Sequence, residues 1–433
     1  MLRQAQHERG QAAQTPFQVT AKDAGSRARC GLLQTAHGAV HTPAFMPVGT
    51  QGTVKTLTVQ DLKACGVEIV LGNVYHLSLR PGREILERAG GLHKFMAWDG
   101  PLLTDSGGYQ LFSLAAKCRV REEGASFASH VDGSLHTLTP EGVIAFQVGI
   151  GVDIAVPLDQ CVPYPCERAQ AQEALERTTR WAERSKQEFT LRQACPEPAG
   201  LLRPAQDDRP SRRTQGDRGK TVRGERVEPR TVPLLFGIVQ GATYPDLRRQ
   251  AAERLLAIGF DGYCLGGFSV GEPRGLTYEL LPAAAEMLPQ DRARYLMGVG
   301  EPMDLVEAVE HGVDLFDCVV PTRHGRNGVA YTSEGRLNLR NAVHAADSGS
   351  LDPRCRCEVC RTYSRLYLRH LFQAQEILGL RLLSYHNVWF YSRLMAEIRA
   401  AIAAGGLKEI RSRIAAAYAN SERRVIADLE RAR

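Results

Sequence analysis

LLFGIVQGATYPDLRRQAAERLLAIGFDGYCLGG, residues 234–267, carries the pattern that decides the fold. The apolar run Leu234–Val239 closes on Gln240, a helix-like stretch follows, and a second run, Phe260–Leu265, closes on Gly266–Gly267. Short, nearly continuous apolar runs separated by helices are the mark of parallel strands buried on both faces. The unit recurs in both directions. Ala44–Val48, Glu68–Leu71, Pro101–Thr104 and Asp153–Leu158 precede it, and Tyr295–Val299 and Val313–Val319 follow. Eight strand-then-helix units predict an α/β protein built as a (β/α)8 TIM barrel; on periodicity alone an open doubly wound sheet is the alternative. Ahead of the first unit, residues 17–41 alternate β-like runs with glycine turns and predict antiparallel strands.

The bulk composition agrees with a large enzyme. At 433 residues, with 43% hydrophobic and 24% charged residues, a disordered or fibrous chain is excluded. Lys plus Arg less Asp plus Glu is 54 − 48 = +6, which permits nucleic-acid binding without demanding it. No apolar run approaches the roughly 18 residues that span a bilayer, and the N-terminal stretch lacks a signal-type apolar segment. The expectation is a cytoplasmic protein with no membrane association. Eleven cysteines, an odd number, predict reduced thiols, a metal site, or both. Residues 1–16 read as a polar, flexible tail. Residues 196–231 hold nine Lys/Arg, six Asp/Glu and nine Pro/Gly, and read as a solvated insertion, either an inert linker or a basic arm for RNA.

The polar residues that close the apolar runs point to a site. Asp105, Asp159, Gln240, Gly266–Gly267, Gly298 and Asp317 all fall at C-terminal strand ends, which in a barrel converge on one mouth. One carboxylate there also serves as a helix cap; three, with Gln240 and two glycine-rich ends, predict a catalytic cluster. In Thr104–Gln110 a carboxylate is followed by a glycine pair that admits a ligand to the backbone, then by Tyr109, which either stacks on a flat heterocycle or simply packs. In Phe316–Gly328 a carboxylate inside an apolar strand end precedes a glycine-containing loop with Arg323 and Arg326. Two carboxylates on one mouth can divide nucleophile and general acid/base roles at a sugar's anomeric carbon, and arginines beside them suit phosphate oxygens.

Cys355, Cys357 and Cys360 stand as C-x-C-x2-C, with His386 26 residues beyond. Thiolates at that spacing converge on one ion, and a distant histidine closes a tetrahedron, leaving no open position: one structural zinc, Zn2+. His324, His344 and His370 are other candidates for the fourth ligand, and buried thiols without metal are the bland alternative. A helix over 361–380, with Leu366, Phe372 and Leu378 on its apolar positions, and a second opening at His386 would form a hairpin that returns the histidine to the thiols. Arg361, Arg365 and Arg369, four apart, form either a basic stripe or a solvated helix face.

TDSGGYQ (104–110), FGIVQG (236–241), GGFSVGE (266–272), FDCVVPTRHGRNG (316–328) and CRCEVC…YHN (355–360, 385–387) together resemble the tRNA-guanine transglycosylase family. The resemblance runs from about Phe17 to the C-terminus, interrupted by 196–231. It implies a (β/α)8 barrel over 17–320, a zinc-binding subdomain over 321–400, a C-terminal helix over 401–433 and a homodimer. The implied activity exchanges the wobble guanine of G-U-N anticodon tRNAs (Asp, Asn, His, Tyr) for 7-aminomethyl-7-deazaguanine, a step of queuosine biosynthesis. By the same resemblance Asp317 is the nucleophile and Asp105 the general acid/base. Asp159, Gln240 and the Gly267 N–H read the base, Tyr109 and Met297 sandwich it, and Ser106, Gly107, Gly108, Cys161 and Phe268 complete the pocket. Gly298, Val299, Gly300, Glu301, Pro302, Met303 and Asp304, with Thr322, Arg323, His324, Gly325 and Arg326, are the implied contacts to the tRNA anticodon loop. Two positions depart from the family pattern: Gln160 stands for a glutamate, and Phe268-Ser269 for Leu-Ala. A catalytically silent RNA-binding subunit of the same fold is the second reading, against which both aspartates speak. An unrelated metal-dependent barrel hydrolase is the third, against which the closed ligand set speaks.

Overall fold

The computed structural model describes residues 15–113, 118–194 and 233–431. Most of the expected tail and all of the 196–231 insertion lie outside the described residues. An antiparallel sheet of β1 (Phe17–Lys22), β2 (Arg29–Thr35) and β3 (Gly38–Thr42) comes first. The barrel strands are β4 (Ala44–Pro47), β5 (Val70–Asn73) and β6 (Leu102–Asp105), then β10 (Ile154–Ala155), β11 (Leu234–Val239), β12 (Gly262–Leu265), β13 (Ala293–Leu296) and β14 (Leu315–Cys318). Between β6 and β10 sits a three-stranded antiparallel sheet, β7 (Cys118–Val120), β8 (Ala125–Ala128) and β9 (Leu135–Leu138), that the sequence reading missed.

The eight barrel strands pair in the order β4-β14-β13-β12-β11-β10-β6-β5. A parallel bridge between Val48 and Leu71 closes the ring, with the Gly49 N–H donating to the Leu71 carbonyl at 2.6 Å. Closure excludes the open sheet, and every expected apolar run holds one strand. Alternation within those runs divides the core, because successive strand residues face opposite ways. Met46, Leu71, Leu103, Ile154, Phe236, Ile238, Cys264, Tyr295 and Leu315 form the inner cluster. Phe45, Val70, Leu102, Leu235, Leu265 and Phe316 face the surrounding helices. Gly262 is needed inside: a Cβ there would lie 2.5 Å from the Phe236 ring.

Phe17, Leu33 and Val40 join the inner cluster, so the β1–β3 sheet plugs the N-terminal end of the barrel. A buried ion pair pins it: Arg29 donates to both oxygens of Asp314, at 3.0 and 2.6 Å, and to the carbonyls of Gln290 and Arg292. Asp314 also accepts from the Arg294 N–H. Removing one member strands the other charge in a dry site. Asp314→Ala is expected to cost about 3–5 kcal/mol in urea unfolding; a loss below about 1 kcal/mol, the value of an exposed pair, overturns that account.

Beyond β14 the chain forms the helix Val320–Arg326, the hairpin β15 (Val329–Thr332) and β16 (Gly335–Asn338), and helices Glu358–Thr362, Arg365–Gln373, Ile377–Ala404 and Leu407–Arg431. Four expectations need correction. The glycine-containing loop after Asp317 is helical; Gly325 sits in it because a Cβ would come within 2.8 Å of the Ser384 backbone on the crossing helix. The helix expected over 361–380 is three pieces, since Ser364 caps a new start and Gln375, at φ 58°, turns the chain. His386 therefore lies inside the long helix Ile377–Ala404 rather than opening one, and the C-terminal helix starts at Leu407, after left-handed Gly405. Among the described residues, no helix is long and apolar enough to cross a membrane.

Candidate active site and metal centre

Asp105 ends β6 and Asp317 is the next-to-last residue of β14, both on the C-terminal rim. Each is only partly covered, and each is anchored differently. Asp317 accepts on Oδ1 alone, from the Tyr295 hydroxyl at 2.6 Å and the Gly298 N–H at 2.8 Å. Among the described residues no donor reaches its Oδ2. Asp105 accepts from Asn73 Nδ2 at 2.6 Å and from the Val74 N–H at 3.3 Å. Asn73 in turn caps the helix Val74–Leu79 by accepting from the His76 N–H. Burial pushes the Asp105 carboxyl up to about 8, with the negative charge of Asp317 as the next cause. Asp317 is also raised by burial, against the pull of Tyr295 and Gly298. The charge of Asp317 thus reaches Asp105 on the same mouth.

A second cluster lies beside them. Buried Asp159 accepts from Gln240 Nε2 at 2.7 Å and from the Ser106 hydroxyl at 3.1 Å. Gly108 is forced by this packing, since a Cβ there would sit 1.9 Å from Asp159 Oδ1. Gly267, at φ 66°, abuts Gln240, whose Oε1 is buried without a partner. Phe268 is buried, Cys161 and Met297 are half-buried, and the Tyr109 ring is 54% exposed at the rim. Gln160 turns away from this cluster, accepting from Arg177 on the helix Arg168–Ala194. The arrangement offers hydrogen-bonding groups for a flat polar ring next to two carboxyls that are anchored differently.

The residues expected to touch RNA divide by exposure. Arg323 and Gly298 are exposed, and Glu301, Met303, Asp304, His324 and Arg326 are half-buried. Val299, Gly300, Pro302, Thr322 and Gly325 are buried and shape the rim from beneath. Asp304 is tied to the Tyr278 hydroxyl and Arg274, and His324 to the Tyr331 hydroxyl. Of the arginine stripe, Arg365 pairs with Asp347 and Arg369 donates to the Asn341 carbonyl, so these two are committed to the fold, while Arg361 is exposed.

Cys355, Cys357, Cys360 and His386 do come together, with ligand atoms within 4.8 Å of one another. The three Sγ atoms lie 3.9, 3.5 and 3.3 Å from His386 Nδ1. A tetrahedral zinc site requires about 3.5 Å between sulfur and nitrogen ligands, so the donor set fits such an ion. His386 Nε2 donates to the Tyr331 carbonyl at 2.8 Å, which turns the Nδ1 lone pair toward the thiols. His324, His344 and His370 are not part of the cluster.

Asn73 and Tyr295 went unread in the sequence. Asn73 follows the run Glu68–Leu71 as a polar strand end, a signal of the kind used elsewhere; Tyr295 reads as one more apolar strand residue.

The profile of the family described as queuine tRNA-ribosyltransferase matches residues 23–420. A protein named queuine tRNA-ribosyltransferase from Pelotomaculum thermopropionicum is 49% identical over 395 residues, covering 91% of this chain and 96% of its own. The protein of that name from Caulobacter vibrioides is 49% identical over 404 residues, covering 93% and 98%. That from Caldanaerobacter subterraneus is 48% identical over 404 residues, covering 93% and 97%. Identity at this level, held from end to end over a barrel with two facing carboxyls, decides the family: the chain belongs to the queuine tRNA-ribosyltransferases.

Proposed function

We propose that the protein is a tRNA-guanine transglycosylase that exchanges the wobble guanine of G-U-N anticodon tRNAs for 7-aminomethyl-7-deazaguanine. The observation that carries this reading is the carboxyl pair on one mouth, Asp317 held through Oδ1 alone and Asp105 held through both oxygens by Asn73 and the Val74 N–H. Asp317, held through Oδ1, presents Oδ2 to the ribose. That oxygen bonds to C1′ as the C1′–N9 bond breaks, and the departing guanine takes its electron pair and a proton from Asp105. The incoming base gives its N9 proton to Asp105 and displaces Asp317, so two inversions retain the configuration at C1′. Asp159, Gln240 and the Gly267 N–H read the base, with Tyr109 and Met297 on its faces. A wrong base leaves those buried groups unpaired. Wobble guanine is splayed from a single-stranded loop at low cost, while Arg323 and Arg326 hold phosphates and fix register.

Incorporation of labelled guanine into an unmodified tRNA with a G-U-N anticodon tests the reading, and no incorporation under any condition sinks it in favour of the silent RNA-binding alternative. A cytoplasmic site of action follows from the substrate. A homodimer is part of the proposal, as the family resemblance implies; a single-chain mass in sedimentation at working concentration overturns it.

Cys355, Cys357, Cys360 and His386 would hold one zinc ion, which when bound cross-links the 355–360 loop to the helix Ile377–Ala404 and takes no part in the chemistry. Cys357→Ser is expected to lower bound metal from about one equivalent toward zero and to lower the melting temperature. Full metal content in that variant, or an unchanged melt, counts against the site.

A further inference from the structure

Arg248 lies in the first turn of the helix Pro245–Ile258, yet its side chain is only 1% exposed. Among the described residues, no carboxylate is hydrogen-bonded to it. Nη1 donates to the Gly266 carbonyl and Nη2 to the Gly267 carbonyl, both at 3.0 Å, and the guanidinium lies 3.8 Å from the centre of the Phe268 ring. Burying a cation against two neutral carbonyls is costly, and burial accordingly pulls its pKa down to about 10, with Glu272 and Cys161 as opposing influences. Such a placement needs a return.

We infer that Arg248 is a positioning residue that fixes the Gly266–Phe268 backbone so that its N–H groups face the base. A trans peptide holds its C=O and N–H on opposite sides of one plane. Pinning the Gly266 carbonyl to the guanidinium therefore turns the Gly267 N–H away from it, and pinning the Gly267 carbonyl does the same for the Phe268 N–H. Gly267, with φ at 66°, is the residue at which this backbone can most readily turn over, so its orientation needs an external hold. The helix is seated to provide it: Gly241, two residues past the end of β11, packs so closely that a Cβ would lie 2.6 Å from the Arg248 backbone nitrogen. Two donors in a rigid fork meet two successive carbonyls, a geometry that the single ammonium of lysine cannot reproduce.

The inference rests on the transglycosylase reading, and the test separates the two. Equilibrium binding of 7-aminomethyl-7-deazaguanine is measured by calorimetry on the full chain, together with exchange kinetics. Absence of base binding by the unaltered protein would fail the transglycosylase reading itself, and the inference with it. With binding established, Arg248→Met is expected to weaken base affinity by at least about tenfold, because two buried carbonyls lose their donors. The KM for tRNA should move less than about twofold, since phosphate contacts dominate that affinity, and kcat less than about threefold. Arg248→Lys, which keeps the charge and one donor, should fall between. Base affinity within about twofold of the unaltered protein in a folded Arg248→Met, or loss in kcat with base affinity intact, overturns the inference. If the methionine variant does not fold, the lysine variant decides: its base affinity must fall while its tRNA KM holds, and equal losses in both refute the role.

Discussion

Asp317→Asn should abolish the protein–tRNA adduct that survives denaturation and lower exchange by at least about 10³-fold, the scale on which enzymes lose rate when a nucleophile is removed. The substitution is nearly isosteric, and the amide oxygen can still accept from the Tyr295 hydroxyl and the Gly298 N–H. The side chain therefore keeps its seat, and the KM for tRNA should hold while the reaction stops. What is lost is the free Oδ2, replaced by a nitrogen that cannot form the ester. Gel mobility under denaturing conditions, with and without labelled tRNA, reads the adduct directly. An adduct of normal yield in Asp317→Asn would transfer the covalent role to another residue. Tyr295→Phe makes a graded companion, since it removes one of the two donors that aim Asp317 and leaves the nucleophile in place.

Most of this arrangement is legible in the sequence, and the reasons are local. Strands such as Leu234–Val239 are buried on both faces, so they appear as unbroken apolar runs, and the polar residue ending each run marks the rim. Asp105, Asp159, Gln240 and Asp317 were found that way. The cysteine cluster was legible because its spacing is itself the constraint. What escaped depends on contacts between distant segments. Position 325 of the helix Val320–Arg326 is glycine because Ser384, 59 positions on, leaves no room for a Cβ. Arg248 looks like any cation on an amphipathic helix until its target, the β12 exit, is placed beside it. Tyr295 is indistinguishable in sequence from strand filler, and only its hydroxyl's partner sets it apart. The β7–β9 sheet has short, half-polar strands whose pattern is too weak to read.

In the proposed mechanism the protonation of Asp105 should make the two halves of the reaction respond to pH in opposite directions. Burial, and then the charge of Asp317, hold this carboxyl up to about 8, so near neutrality it is protonated, and in the proposed mechanism that proton goes to the departing guanine. As pH rises through that value the acid form is lost. Adduct formation, followed as a burst of released guanine, should then fall about tenfold per pH unit. Adduct resolution needs the carboxylate to accept the N9 proton of the incoming base, so its rate should fall on the acid side instead. Asn73 provides a check of sign. Its Nδ2 donates to the carboxylate and so favours ionisation. Asn73→Ala should move the alkaline limb of adduct formation to higher pH. Asp317→Asn removes a neighbouring negative charge, and the Asp105 titration, followed by carbon NMR of labelled aspartate, should move down. Adduct formation that stays level between about pH 6 and pH 10, or an alkaline limb that moves downward in Asn73→Ala, would mean the proton comes from elsewhere.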